Sequence, residues 1–188
     1  MAAPVDLGAP PPNPGTATAE DWSTFYDAHF DFVWRSLRRL GVPESALDDA
    51  AQEVFVVAFR RQAEFEGRSS HKTWLFGIAW NRARELARGA RRRPEEELPE
   101  SLEQSSPDAE QAAMHSQALR FAYRVLEELT PERRAVLVMA EVEEMTAVEI
   151  AELLQVPVNT AYSRIRLARR DFEAALKRCR ARAARGAQ

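Results

Sequence analysis

The chain has 188 residues, 45% of them hydrophobic, and a formal net charge of −3, which allows one globular domain or two small ones. The sequence has no long apolar run and no basic-then-apolar N-terminus, which argues against a membrane span and a secretory signal, so we expect a cytoplasmic protein. The single cysteine, Cys179, excludes an internal disulfide and a multi-cysteine zinc site, and the three histidines are scattered. We therefore expect no metal and no other cofactor.

The small net charge conceals two strongly basic blocks. Residues 60–93 contain ten Lys or Arg against three acidic residues, and residues 164–188 contain nine against two. Residues 94–113, between them, contain seven acidic residues and no basic one. Because local clusters of positive charge set the affinity for phosphates, this alternation predicts two nucleic-acid surfaces on two bodies.

The first predicted elements are a disordered arm and three helices. Residues 1–19 are rich in Pro and Ala and contain almost no large apolar side chain, so we expect them to be disordered. Apolar spacing predicts a helix from Asp21 to Gly41, a second over 44–64 and a third over 71–88, which Gly89 ends. No segment shows the strict alternation of a strand. The predicted fold is all-α, with two small helical domains joined by a flexible linker.

The second predicted helix has two contrasting faces. Helical spacing directs one apolar stripe inward: Leu47, Ala50, Ala51, Val54, Phe55 and Ala58. Beside it lies an acidic and polar strip of Asp48, Asp49, Gln52 and Glu53. From the residues alone, a solvated face is the favoured interpretation of this strip.

The segment FEGRSSHKTWLFGIAWN, residues 65–81, combines a Gly/Ser turn, basic residues and many aromatic ones. At about 100° per residue, Trp74, Phe76 and Trp80 point to different sides of the third helix, so one core face cannot hold all three. We expect Trp74 and Ile78 to pack in the core and other aromatic surface to suit unstacked bases. Next to the basic run 91–93, three more residues favour nucleic-acid binding: Asn81, Arg82 and Arg84.

The second body is predicted to follow an acidic linker. Residues 94–113 contain three prolines in addition to their acidic residues, which is typical of a linker. A helix is predicted from about Met114 to Glu128. Thr130-Pro131-Glu132 then combines an N-cap, a proline at the first helical position and an early acid, which predicts the start of another helix.

Residues 146–169 have the pattern of a helix-turn-helix, TAVEIAELLQVPVNTAYSRIRLAR. Thr146 and Glu149 form a capping box, and Pro157 ends the first helix near Gln155. Spacing directs four residues of the second helix inward: Val158, Ala161, Ile165 and Ala168. Its other faces hold Asn159, Thr160, Tyr162, Ser163, Arg166 and Arg169. The motif places such residues at the DNA major groove, whereas an ordinary helical hairpin is the alternative.

Three of these segments, in this order around an acidic linker, resemble RNA polymerase sigma factors of the sigma-70 family, in the extracytoplasmic-function (ECF) group. They are DAAQEVF at 49–55, the aromatic segment 65–81 and the helix-turn-helix. The resemblance covers residues from about 22 to 177. The sequence departs from the family pattern at four places: Gln155 and Asn159, where glycine is frequent, Ala161-Tyr162, and Trp80, where a basic residue is common.

The resemblance implies a sigma-2 domain over 20–93 and a sigma-4 domain over 114–188, which bind core RNA polymerase and recognise the −10 and −35 promoter elements. It also implies promoter DNA and a sequestering anti-sigma factor as partners. The sequence contains no catalytic triad, phosphate-cradling Gly loop or plausible acid pair, so we predict no enzyme. A free-standing helix-turn-helix regulator is the alternative function.

The resemblance also implies three sets of binding residues. Core polymerase is expected to contact Asp48, Asp49, Gln52, Glu53 and Phe55. The −10 element, read as a single strand, is expected to contact Phe65, Arg68, Ser69, Lys72, Trp80, Asn81, Arg82 and Arg84. The −35 element is expected to contact Asn159, Thr160, Tyr162, Ser163, Arg164, Arg166 and Arg169.

Overall fold

The computed structural model describes residues 19–65, 67, 69–90 and 109–186, and every regular element in these ranges is helical. The all-α prediction is confirmed for them. The described chain forms two compact units, one within residues 19–38 and 42–90 and the other within residues 39–41 and 109–186. The predictions for the N-terminal arm up to residue 18, the basic run 91–93 and the linker up to residue 108 lie outside the described residues.

Three α-helices build the first unit: α1 (Ala19–Leu40), α2 (Leu47–Arg61) and α3 (His71–Ala90). Short 3-10 turns flank α2, at Glu44–Ala46 and Gln62–Glu64, so the helix predicted over 44–64 is α-helical only in its middle. Such turns are common at helix ends because they satisfy terminal backbone groups.

Glycine ends α1 but does not end α3. Gly41 has φ +91°, and Val42 N donates to Leu37 O at 3.1 Å, which is the left-handed cap that glycine favours. Gly89, by contrast, does not have a positive φ, and α3 continues through it to Ala90. The predicted end at Gly89 is wrong because a glycine within the last turn is tolerated when the chain does not turn there.

The core of the first unit contains the whole inward stripe predicted for α2. Each of its six residues is buried, from Leu47 to Ala58. They meet buried residues of the two neighbouring helices, among them Phe25, Val33 and Leu37 of α1 and Leu75, Phe76, Ile78, Ala79, Trp80 and Ala83 of α3. Burial of these apolar side chains is the main favourable term that holds the three helices together.

Two histidines lie in the core between α1 and α3. His29 and His71 are buried with their ring centroids 6.1 Å apart, and Phe25 packs edge-on against both. Burial lowers the pKa of both histidines, and nearby His71 and Lys72 lower the pKa of His29 further. Burial thus favours the neutral form of both imidazoles in the folded protein.

Four helices build the second unit: α4 (Ala109–Glu127), α5 (Pro131–Glu141), α6 (Ala147–Leu154) and α7 (Val158–Gly186). α4 begins five residues before the predicted Met114, inside the stretch assigned to the linker. The reason is local, because Ala109-Glu110-Gln111-Ala112-Ala113 consists only of good helix formers.

α7 packs against each of the other three helices of the second unit. Their shared core contains Val125 of α4, the run Ala135–Met139 of α5, Ile150 and Ala151 of α6, and Ala161, Ile165, Ala168 and Ala175 of α7.

At the rim of this core, Glu128 accepts hydrogen bonds from Arg178 Nε at 3.2 Å and from Arg182 Nη1 at 2.5 Å. Both bonds lower the pKa of Glu128, and the bond from Arg182 has the larger effect. None of the described helices is both long enough and apolar enough to cross a membrane.

Candidate nucleic-acid interfaces

The helix-turn-helix begins with the predicted capping box. Glu149 N donates to Thr146 Oγ1 at 3.3 Å, and Thr146 N donates to Glu149 Oε2 at 2.7 Å. Two backbone groups that a helix start leaves unpaired thus gain partners. The cap fixes the start of α6 and therefore the position of the turn that follows.

The turn between α6 and α7 is tight and needs a left-handed residue. Gln155 has φ 53° and ψ 49°, and Val156 N donates to Ala151 O at 3.0 Å. Pro157 O then accepts from Thr160 N at 2.8 Å and from Ala161 N at 3.1 Å, which starts α7. The predicted helix end near Gln155 is confirmed.

The N-terminal half of α7 has a buried face and an outward face. Ala161, Ile165 and Ala168 are buried as predicted, whereas Val158, also predicted to face inward, is exposed. Val158 is the first residue of α7, before neighbouring helices cover it. The outward face, named here the α7 reading face, consists of Val158, Asn159, Tyr162, Ser163 and Arg166, all exposed.

Three other predicted −35 residues have different surroundings. Thr160 and Arg164 are half-buried and lie away from the reading face, about 130° and about 170° around α7 from its centre. Arg169 is exposed and forms an ion pair with Glu141, with Nε 2.7 Å from Oε1. Arg164 therefore lies outside the reading face.

In the first unit, the turn before α3 carries an aromatic pair. The ring of Phe65 lies 5.1 Å from that of Trp74 and 4.8 Å from that of His71. Ser70 caps α3, because its Oγ accepts from Thr73 N at 3.1 Å. Phe65 and Trp74 remain half-buried, so part of each ring is available to a partner.

An outward stripe of α3 continues from this aromatic pair. Trp74, Asn81 and Arg84 lie within about 80° of one another around the helix, and Asn81 and Arg84 are exposed. Lys72 is exposed at the first turn, with Nζ 6.0 Å from the ring centroid of Phe32. Ser69 is half-buried in the turn. The structure thus groups an aromatic surface, an amide and a cation, which suits single-stranded nucleic acid.

Of the other predicted −10 residues, Trp80 needs correction, Arg82 has a partner within the first unit, and Arg68 lies outside the described residues. Trp80 is 4% exposed and packs in the core, so its ring is not free to stack on a base. Trp74, predicted to pack in the core, is instead the half-exposed ring. Arg82 points toward α2 and pairs with Glu53, Nε to Oε2 at 2.5 Å. Arg68 is outside the described residues.

The outward face of α2 contains more than the predicted acidic strip. Asp49 and Gln52 are exposed, and along the same stripe Val56 and Phe59 are 47% and 52% exposed. Sequence reasoning missed Val56 and Phe59, although their absence from the inward stripe was the available signal. We name Asp49, Gln52, Val56 and Phe59 the α2 outer face.

The other predicted polymerase contacts have partners within the first unit. Asp48 Oδ1 accepts from Trp34 Nε1 at 2.9 Å. Phe55 is buried, with its ring 4.6 Å from that of Tyr26, so its assignment to a binding surface is corrected to the core. Among the described residues, no group of three His, Cys, Asp or Glu side chains could hold a metal ion.

Comparisons with known proteins agree with the two-unit architecture. Residues 25–93 match the family model "Sigma-70 region 2", and residues 122–172 match "Sigma-70, region 4". The RNA polymerase sigma-H factor of Pseudomonas aeruginosa is 32% identical over 139 residues, which are 69% of this chain and 72% of that protein. The ECF RNA polymerase sigma-E factor of Escherichia coli is 31% identical over 142 residues, 70% of this chain and 74% of that protein.

Two solved structures share the fold. CnrH, solved in complex with the cytosolic domain of CnrY, superposes with a TM-score of 0.63 at 23% identity, covering 87% of this chain and 92% of that one. RpoE from Bartonella quintana, solved in complex with the anti-sigma factor NepR, gives a TM-score of 0.64 at 17% identity, covering 85% and 98%.

Proposed function

We infer the function from family membership: the chain belongs to the sigma-70 family of RNA polymerase sigma factors, in its extracytoplasmic-function group. It directs promoter-specific initiation of transcription as the specificity subunit of core RNA polymerase. It acts in the cytoplasm and supplies binding surfaces, while the polymerase supplies the catalysis. Residues 20–93 serve as the sigma-2 domain and residues 114–188 as the sigma-4 domain, joined by the acidic linker 94–113.

The α7 reading face recognises the −35 element in the major groove. The observation that supports this role most strongly is that Asn159, Ser163 and Arg166 project from the start of a helix whose position a capping box and a tight turn fix. Amide and guanidinium groups pair with adenine and guanine edges, whereas the flanking Arg164 and Thr160 hold phosphates. Arg169 also binds a phosphate, after its ion pair with Glu141 breaks.

The α3 stripe recognises the −10 element as a single strand. A base unstacked from the duplex needs an aromatic surface and hydrogen-bonding groups in its place. Phe65 and Trp74 supply the rings, Asn81 an amide, and Lys72 and Arg84 cations for the backbone.

The α2 outer face binds core polymerase. One acidic and one amide side chain beside two exposed large apolar side chains are typical of a protein interface rather than of a solvated face. Asp49 and Gln52 supply polar groups for specificity. Val56 and Phe59 supply apolar surface that becomes buried on binding. A sequestering anti-sigma factor is a further partner, in line with the complex of RpoE with the anti-sigma factor NepR.

Run-off transcription tests this function. The purified chain with its cognate core polymerase should initiate from members of a promoter library, and neither component alone should do so. The chain should also co-elute with core polymerase in gel filtration. A chain that fails to co-elute, yet protects a duplex operator by itself, is a free-standing regulator and contradicts the proposal.

The polymerase contact has its own test. Asp49→Ala combined with Val56→Ala should weaken the affinity for core polymerase, measured by fluorescence anisotropy, because it removes one charge and one apolar contact from the α2 outer face. Asp27→Ala, an exposed acid of α1, is the matched control and should keep full affinity. Glu53 is left intact because its pairing with Arg82 gives it a structural role.

A further inference from the structure

Two apolar side chains lie on the α7 reading face. Val158 and Tyr162 are four residues apart, so they are neighbours one turn apart, and they are 38% and 61% exposed. Asn159 and Arg166 lie beside them. Single exposed apolar residues are common on soluble proteins. A neighbouring pair within the part of a helix that enters the major groove indicates that the bound surface itself offers an apolar group.

The base edges of the major groove offer one such group. Thymine presents its C5 methyl there, and it is the one methyl group in a recognition pattern otherwise made of hydrogen-bond donors and acceptors. Val158 has no side-chain group that could bind a phosphate or a polar base edge. The hydroxyl of Ser163, its neighbour on the face, already donates to Asn159 O at 3.0 Å. The apolar surface of Val158 and of the Tyr162 ring is therefore suited to a methyl group, whereas the Tyr162 hydroxyl can form a hydrogen bond.

We propose that Tyr162, supported by Val158, is a specificity-determining residue that contacts the C5 methyl group of a thymine in the −35 element. The proposal rests on the −35 role of α7 inferred above and adds the chemical feature that one position of that element must carry. Asn159, next to the pair, is suited to the adenine edge of the same or an adjacent base pair.

The first experiment locates the thymine. Holoenzyme reconstituted from the full chain and core polymerase selects templates by run-off transcription from a library with a randomised −35 region. Wild-type protein should enrich a thymine at one position where Tyr162→Ser shows no preference. Because Tyr162 is exposed, the variant keeps its core, which a far-UV circular dichroism spectrum verifies.

The second experiment removes only the methyl group. Deoxyuridine replaces thymine at that position and leaves the base pair and its hydrogen bonds intact. Burial of one methyl group corresponds to about a fourfold change in affinity, so wild-type holoenzyme should bind the deoxyuridine promoter about fourfold more weakly. Tyr162→Ser should bind both promoters equally, and Tyr162→Phe should behave like wild type because it keeps the ring.

The possible outcomes separate this inference from the proposed function. If deoxyuridine has no effect at any −35 thymine, or if Tyr162→Ser remains equally sensitive to it, the methyl contact is overturned while promoter-specific transcription stands. Loss of the discrimination in Tyr162→Phe assigns recognition to the hydroxyl and also overturns it. If no −35 sequence is enriched even by wild-type protein, the −35 role of α7 itself fails.

Discussion

At the scale of single residues, Gln155 carries a conformational cost that a glycine would remove. Its φ of 53° lies in the left-handed region, which side chains with a Cβ disfavour. Gln155→Gly should therefore raise the free energy of unfolding of the second unit by about 0.5 to 1 kcal/mol. Urea denaturation, monitored by far-UV circular dichroism, measures this change in the free energy of unfolding.

The matched control for this substitution lies one turn earlier. Glu152 is exposed within α6, where glycine has no left-handed conformation to relieve, so Glu152→Gly should lower stability by about 1 kcal/mol. If both glycine variants lose stability, the left-handed turn at Gln155 is not a source of strain.

The proposed −35 role of Arg169 predicts that Glu141 competes with DNA for this side chain. The two side chains are 2.7 Å apart and largely exposed, so the pair contributes at most about 1 kcal/mol. Glu141→Gln should leave stability nearly unchanged and tighten holoenzyme binding to promoter DNA by up to about fivefold, because Arg169 no longer exchanges a carboxylate for a phosphate. Anisotropy titration at constant salt measures the dissociation constant.

Glu173→Gln makes the same change of net charge at an exposed position of α7. If it tightens binding as much as Glu141→Gln does, the gain reflects overall charge and the role assigned to the pair is wrong. The double variant Glu141→Gln/Arg169→Ala should bind no more tightly than Arg169→Ala alone.

Sequence reasoning predicted the buried residues of α2 correctly and misplaced the tryptophans of α3. Periodicity identifies a face when one side of a helix is apolar, as it is from Leu47 to Ala58. α3 has apolar residues on most of its circumference, so its neighbours decide which ring is covered. That is why Trp80 proved to be the core residue and Trp74 the half-exposed one.

At the scale of elements, the capping box at α6 positions the whole reading helix. Thr146→Ala should lower the free energy of unfolding of the second unit by about 1 kcal/mol, because Glu149 N loses its acceptor. Thr146→Ser keeps the hydroxyl and should retain most of the stability. Equal losses in the two variants, measured by urea denaturation, would assign the effect to the methyl group and contradict the cap.

Helix starts could be predicted from the sequence better than some helix ends. Caps at Thr130 and Thr146 depend on two or three neighbouring residues, and both are present as predicted. Gly89 would end α3 only with a left-handed φ, and it does not have one. The start of α4 at Ala109 was obscured because it directly follows the acidic residues 94–108 and its first turn contains Glu110, so composition suggested a linker.

At the scale of the whole molecule, all four tryptophans lie in the first unit. They are Trp22, Trp34, Trp74 and Trp80, on α1 and α3. Tryptophan fluorescence therefore follows the unfolding of the first unit alone, whereas far-UV circular dichroism follows the helices of both. The two probes allow the stability of each unit to be measured in the intact chain.

The first unit should lose stability in mild acid. Burial lowers the pKa of His29 and His71 below the ordinary value of 6.5, so the unfolded chain takes up protons at a higher pH than the folded unit does. Stability from the neutral histidines is fully present above about pH 6.5 and declines as the pH falls toward their lowered pKa values. The urea midpoint followed by tryptophan fluorescence should thus be lower at pH 5.5 than at pH 7.5.

His71→Gln should shrink that difference because it removes one titrating group, whereas His115→Gln, in the second unit, should preserve it. An unchanged difference in His71→Gln would show that other groups cause the acid sensitivity.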